Sequence, residues 1–190
     1  MKNLALFYST NFTRGFTFNN IKKIADFPLS LDSIQRFSHY LENSFLINFL
    51  PRFSYSLKNQ MQTQRKVYLA DNGIHNAVAF KFSEDKGKLL ENAVFHHLKS
   101  MRKEIYYFSE KKEVDFVVKS GMEVKEVINV CYSMEDKETT LREIESLVEG
   151  LKYFKLKEAK IIIVEGEEQS LTHQGFNISV IPFYKWAIGL

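Results

Sequence analysis

A run that opens acidic and turns apolar, Glu113-Val114-Asp115-Phe116-Val117-Val118, does most to limit what this chain can fold into. β-Branched and aromatic residues at this density read as a strand. Ser120-Gly121 then signals a turn, and a second apolar run follows from Val124 to Tyr132. Together these predict a β-hairpin that holds Asp115 on its first strand. Upstream, Leu90, Val94, Leu98 and Met101 recur at helical spacing and make an apolar stripe. Glu91 falls beside Val94 and Leu98 on that wheel, at the edge of the buried face. A carboxylate aimed at a core boundary is costly unless it finds a partner. Asp115 on the adjacent hairpin supplies a second carboxylate, and the pair can share one cation. The plainer alternative is a structural pair satisfied by backbone donors.

The chain has 190 residues, enough for one domain or for one domain and a small companion. No apolar run approaches the roughly 18 residues that a bilayer span needs, so no membrane partner is expected. The opening Met1-Lys2-Asn3-Leu4-Ala5-Leu6-Phe7 is too short in its apolar part to read as a signal peptide. A lone cysteine, Cys131, excludes an intramolecular disulfide and suits a reducing, cytoplasmic compartment. Charge is unevenly spread: residues 1–70 carry nine Lys/Arg against three Asp/Glu, and residues 71–190 carry seventeen against twenty. A basic front and an acidic back suggest two units, divided here as 1–65 and 66–190, with the first as the nucleic-acid contact. A merely solvated basic surface fits the same counts.

Residues 1–15 lack periodicity and read as a frayed segment. A helix is expected over about Phe18–Ala25, broken at Phe27-Pro28. Ser30 can cap a second helix over Leu31–Asn43, with Leu31, Ile34, Phe37, Tyr40 and Leu41 as its stripe. With the strand-like Phe45–Phe49 behind it, this outlines a winged-helix-like segment. Its second helix would offer Ser33, Gln35, Arg36 and His39 to a duplex, unless these are simply its wet face. Arg52, Lys58, Arg65 and Lys66 join Arg36 as phosphate-binding candidates in an exposed linking loop. Lys66–Gly73 reads as a strand ending in a turn, 74–82 as a weak helix, and Glu84–Gly87 as a break. Beyond the Glu91 helix come a strand at Glu104–Ser109, the hairpin, and a helix over Leu141–Phe154 with Thr140 and Glu143 as its capping box. Lys160–Val164 is apolar enough to be a central strand. A last strand runs Ile178–Phe183, and the final residues turn once more as helix.

This order, with one acid on the first helix and another on the second strand, resembles the PD-(D/E)XK nuclease fold. More narrowly, Lys66–Gly73, Gly87-Lys88-Leu89-Leu90-Glu91-Asn92 and Glu113–Val118 are similar to the C-terminal region of archaeal and bacterial AAA-type ATPases with a DUF4143-type domain. Tyr40–Ile47 and Leu50-Pro51-Arg52-Phe53 are similar to the helical segment before that domain. The resemblance implies a mixed α+β fold: a restriction-endonuclease-like core with a mixed central sheet, preceded by a small winged-helix-like segment. It also implies a fragment of a longer ATPase or a stand-alone relative that partners an ATPase subunit; no G-x-x-x-x-G-K-S/T motif is present in the sequence, so ATP hydrolysis by that route is not expected.

In the nuclease superfamily the helix acid and the strand acid, here Glu91 and Asp115, help hold a divalent metal, Mg²⁺ by its preference for oxygen ligands. A third strand supplies Glu-x-Lys. Here that strand reads Asn129-Val130-Cys131, so carboxylate has become amide and ammonium has become thiol. Glu91, Asp115, Asn129 and Cys131 are therefore the expected remains of a degenerate, non-catalytic site. Glu123-Val124-Lys125 spells the motif literally, but hairpin arithmetic puts residues 126 to 129, not 123 to 125, opposite Asp115. The alternative is a Mg²⁺-dependent DNA endonuclease using Glu91 and Asp115 with Lys125 or another borrowed lysine, Glu123 and Lys125 being the literal candidates; a third is a protein–protein interaction domain that keeps the old fold. Cys131 paired with His96 or His97 as a nucleophile is a weaker motif than plain packing of a thiol in an apolar strand.

Overall fold

A computed structural model describes residues 1–24, 28–78 and 86–189, the side chains of residues 61 and 62 apart. It divides into two compact units, Met1–Asp85 and Lys86–Leu190. Together they give a mixed α+β fold.

The first unit runs α1 (Lys2–Thr10), β1 (Gly15–Phe16), α2 (Phe18–Ile24), α3 (Leu31–Asn43), β2 (Ile47–Pro51), α4 (Leu57–Gln62), β3 (Arg65–Leu69) and α5 (Asn72–Val78). Its antiparallel sheet has the order β1-β3-β2. Residues 2–10, expected to fray, are helical because Leu4 and Tyr8 are wholly buried. The Tyr8 hydroxyl meets Ser38 Oγ at 2.6 Å, which ties α1 to α3, and burial pushes the phenol's pKa up. The Ser30 cap forms as expected, its oxygen accepting from the Ser33 N–H. Tyr40, assigned to the buried stripe of α3, instead faces solvent.

The expected division after residue 65 would cut the first unit's own sheet. Arg65 pairs with both Phe16 and Pro51, and Lys66 with Gly15 and Leu50. β3 is therefore the central strand of the first unit, and the two units part at 85/86. The segment expected to be an exposed loop contains α4, capped by Ser56. Residues 25–27 and 79–85 lie outside the described residues, so the expected breaks at Phe27 and Glu84 are read only at their edges: Lys86 and Gly87 already belong to a helix.

The second unit runs α6 (Lys86–Ser100), β4 (Glu104–Ser109), β5 (Glu113–Ser120), β6 (Glu123–Ser133), α7 (Lys137–Phe154), β7 (Glu158–Glu165), β8 (Gln169–His173), β9 (Phe176–Pro182) and α8 (Phe183–Ile188). Its six-stranded mixed sheet has the order β4-β5-β6-β7-β9-β8. β4, β5 and β6 form an antiparallel meander, whereas β6, β7 and β9 are parallel. Gly121 takes φ +62° at the hairpin tip, a conformation only glycine adopts at no cost. α7 lies close on the sheet because Gly150 has no side chain; a Cβ there would stand 3.1 Å from Val114. The proposed Thr140–Glu143 capping box does not form. Asp136 caps α7 instead, accepting from the Thr139 N–H at 2.7 Å, so Glu143 stands in the second turn.

Candidate functional site

Asp115 and Asn129 are neighbours across β5 and β6. Phe116 pairs with Ile128, and a register shift between Val118 and Lys119 sets the rest of the hairpin. The Asp115 main-chain N–H donates to Asn129 Oδ1 at 3.2 Å, while the Val130 N–H donates to Asp115 Oδ2 at 2.9 Å. Asn129 Nδ2 donates to Glu143 Oε2 at 2.7 Å and to Ser146 Oγ at 2.6 Å. Ser146 Oγ in turn donates to the Glu143 carbonyl at 2.9 Å. Both amide hydrogens and the amide oxygen of Asn129 are thus spent inside the protein, where the residue is 1% exposed.

Glu143 enters this network from α7, a residue that sequence reasoning assigned to a cap and so missed. The signal was present: Glu143 lies one turn before Leu147, on the edge of the helix's buried stripe, the same placement that marked Glu91. Burial and the nearby Asp115 carboxylate push the Glu143 carboxyl up, against the opposing pull of Arg142, which donates to it at 3.0 Å. An amide at 129 is what this geometry requires. A carboxylate there would face Glu143 at hydrogen-bond distance with Asp115 on its other side, three like charges in one partly buried spot.

A cleft of about 470 Å³ opens over these groups, lined by Lys88, Glu91, Lys112, Glu113, Asp115 and Glu143 with Arg142 at its side. Glu91 and Asp115 both line this cleft. Cations reach it from α6, from the β4–β5 turn and from α7, not from β6. Lys112 is bound to Glu145 and Arg142 to Glu143. Among the described residues no three or more His, Cys, Asp or Glu side chains are placed to hold a metal ion. The donor set accordingly does not fit a closed Mg²⁺ shell: one Asp115 oxygen is taken by a backbone N–H and Glu143 by Asn129.

Cys131 packs in the sheet, its thiol donating to the Ser133 carbonyl at 2.9 Å, and burial pushes its pKa up. A buried, protonated thiol is not a nucleophile. His97 lies against Trp186 at 4.7 Å. Glu123 sits opposite Ser120 at the hairpin tip, ion-paired with Lys125 in solvent, so neither residue lines the cleft.

Of the basic candidates in the first unit, Arg36 and Lys58 are exposed on α3 and α4. Arg65 is half-buried, its guanidinium 4.8 Å from the Phe18 ring centre and 5.7 Å from that of Phe49. Arg52 is also half-buried. Lys66 is corrected: at 1% exposure on the central strand it does not meet phosphate. Exposed Lys22 and Lys23 on α2 were not singled out and present cations from the same unit.

Residues 86–186 match the family model "Domain of unknown function (DUF4143)". The chain belongs to the DUF4143 family. Residues 1–85 match a second model, "Domain of unknown function (DUF8612)", so the family match and the structural division meet at the same point. The DUF4143 chain is 31% identical over 185 residues to "Uncharacterized protein MJ1544" of the archaeon Methanocaldococcus jannaschii. The match covers 89% of this chain and 40% of that protein, so the chain spans well under half its relative's length. No solved structure matches the chain. Among the described residues no helix is long and apolar enough to cross a membrane.

Proposed function

We propose that this DUF4143 chain is a non-catalytic nucleic-acid-binding module, coupled to an AAA-type ATPase, whose nuclease-like site has been closed by hydrogen bonding. The observation that carries the reading is Asn129: the side chain beside Asp115 is a neutral amide, 1% exposed, whose Nδ2 donates to Glu143 and Ser146 and whose oxygen accepts from the Asp115 N–H. The order α6-β4-β5-β6-α7-β7, a meander followed by a parallel strand, supports a restriction-endonuclease-like ancestry for the core. The order α1-β1-α2-α3-β2-α4-β3 with sheet order β1-β3-β2 supports a winged-helix-like reading of the first unit, with α4 inserted between the two strands that would form the wing. In that reading Arg36 and Lys58 touch phosphate, and α3 is the helix offered to the nucleic acid.

One observation favours a Mg²⁺-dependent endonuclease instead: Lys88, Lys112 and Arg142 line the cleft that holds Glu91 and Asp115, so cations are at hand for a phosphate. A nuclease assay with Mg²⁺ and Mn²⁺ on linear, branched and single-stranded DNA separates the two. The expected result is no metal-dependent cleavage and no difference between the natural chain and Asp115→Ala. Cleavage that disappears in Asp115→Ala overturns the non-catalytic reading.

A further inference from the structure

α3 ends in a Schellman turn: the Phe45 N–H donates to the Glu42 carbonyl at 2.9 Å and the Leu46 N–H to the Leu41 carbonyl at 3.1 Å. The residue at the left-handed position of such a turn is usually glycine. Here it is Phe45, at φ +59°. Its ring gains nothing from burial in return, because it is 80% exposed. Two independent costs, a strained backbone and a large apolar side chain in water, thus meet at one residue. Tyr40 on the last turns of α3 is 51% exposed. Arg36 and His39 share that outward face; Glu42 borders it, one carboxylate oxygen 3.9 Å from His39 Nδ1 and the other accepting from the Phe49 N–H at 3.3 Å.

We propose that Tyr40 and Phe45 form a stacking surface for unpaired bases, so that the nucleic acid held by the first unit is single-stranded. This rests on the nucleic-acid reading above and narrows it. The first unit, Met1–Asp85, carries ten Lys/Arg against six Asp/Glu, and this positive balance complements a phosphate backbone. A duplex hides its base faces within its own stack and offers exposed aromatic rings nothing. Unpaired bases offer π-faces, and aromatic side chains beside cations are what single-strand surfaces use.

The test is fluorescence anisotropy at low salt with the full chain, a labelled oligothymidylate and a duplex of equal length. Phe45→Gly restores the preferred turn residue, so it is expected to melt no lower than the natural chain while binding the single strand about tenfold more weakly. Tyr40→Ala is expected to weaken single-strand binding likewise, and duplex binding should stay within about twofold in both. Single-strand affinity unchanged in both variants overturns the inference, as does an equal loss on duplex. Sedimentation adds a second check: a self-associated chain that Phe45→Gly dissociates makes the aromatic pair an interface between copies and also overturns it. If the natural chain binds no nucleic acid at all, the nucleic-acid reading itself falls; if it binds and the variants bind equally well, only the stacking surface falls.

Discussion

The two units treat their polar side chains in opposite ways. On α3, Gln35, Arg36, His39 and Tyr40 are turned to solvent, as is Phe45 in the turn that follows, while the helix's buried face is Ile34, Ser38 and Leu41. In the second unit, Asp115, Asn129, Glu143 and Ser146 are turned towards one another and satisfied there. A closed network stabilises a fold but leaves no valence for a reacting group, whereas an open face costs little and remains free to bind. The residue types expected for chemistry are thus tied to one another in the second unit, while α3 leaves its polar face open in the first.

The sharpest way to break this comparison is Asn129→Ala. If the network is structural, the substitution takes one donor each from the Glu143 carboxylate and the Ser146 hydroxyl, removes the Asn129 acceptor of the Asp115 N–H, and should cost about 2–3 kcal/mol in urea unfolding. A loss below about 0.5 kcal/mol would mean that the cleft groups are not holding the fold and are free for another purpose.

Next in size is the effect of surface charge on the first unit. Arg36→Gln combined with Lys58→Gln should weaken binding to oligonucleotides of unrelated sequence by about tenfold and flatten the salt dependence by about one unit of slope for each cation removed. Lys112→Gln, in the second unit's cleft, should leave that binding unchanged. An equal weakening from Lys112→Gln in a gel-shift titration would place phosphate in the cleft and reverse the roles of the two units.

A smaller effect is expected from pH. Glu143 has its carboxyl raised above the ordinary 4.5 by burial and by Asp115, with Arg142 and Asn129 opposing and Cys131 beside them. A raised folded value means that the folded state holds the proton more tightly. The stabilisation is therefore complete below the unfolded value and is lost as pH rises through the folded one. Glu143→Gln should flatten the fall in stability between pH 4.5 and neutrality, as read from urea midpoints across that range. The smallest effect belongs to the exposed pair at the hairpin tip: Lys125→Ala should leave both the melting temperature and any nuclease activity unchanged.

Much of the second unit was legible in the chain because its signals are local. β5 and β6 follow from density of β-branched residues and a glycine at the turn; strand periodicity puts 123 and 129 on one face, and counting back from the turn put residues 126 to 129, not Glu123, opposite Asp115. The literal Glu-x-Lys was set aside by counting along a hairpin, and the structure leaves that pair in solvent. Two errors had one origin. α1 carries no clear period, and Thr140–Glu143 matches a capping box; in each case the deciding partner lies far away in sequence. Tyr8 is held by Ser38, thirty residues on, and Glu143 by Asn129, fourteen residues back.

Lys66 marks the same boundary. As sequence it is one more cation in a basic stretch; as structure it sits on the central strand of a three-stranded sheet and is buried. Residue type, period and turn chemistry depend on neighbours a few positions away, so the chain by itself determined most helices and strands of the second unit (the edge strand β8, Gln169–His173, was not among them), the hairpin and the position of Asp115 within it. Which carboxylate meets which amide, which lysine is taken from water, and which aromatic is left in it depend on segments distant in sequence being brought together. Those were decided only when the sheets formed and α7 closed on β6, because hydrogen-bond satisfaction and desolvation are properties of the assembled surroundings and not of the residue.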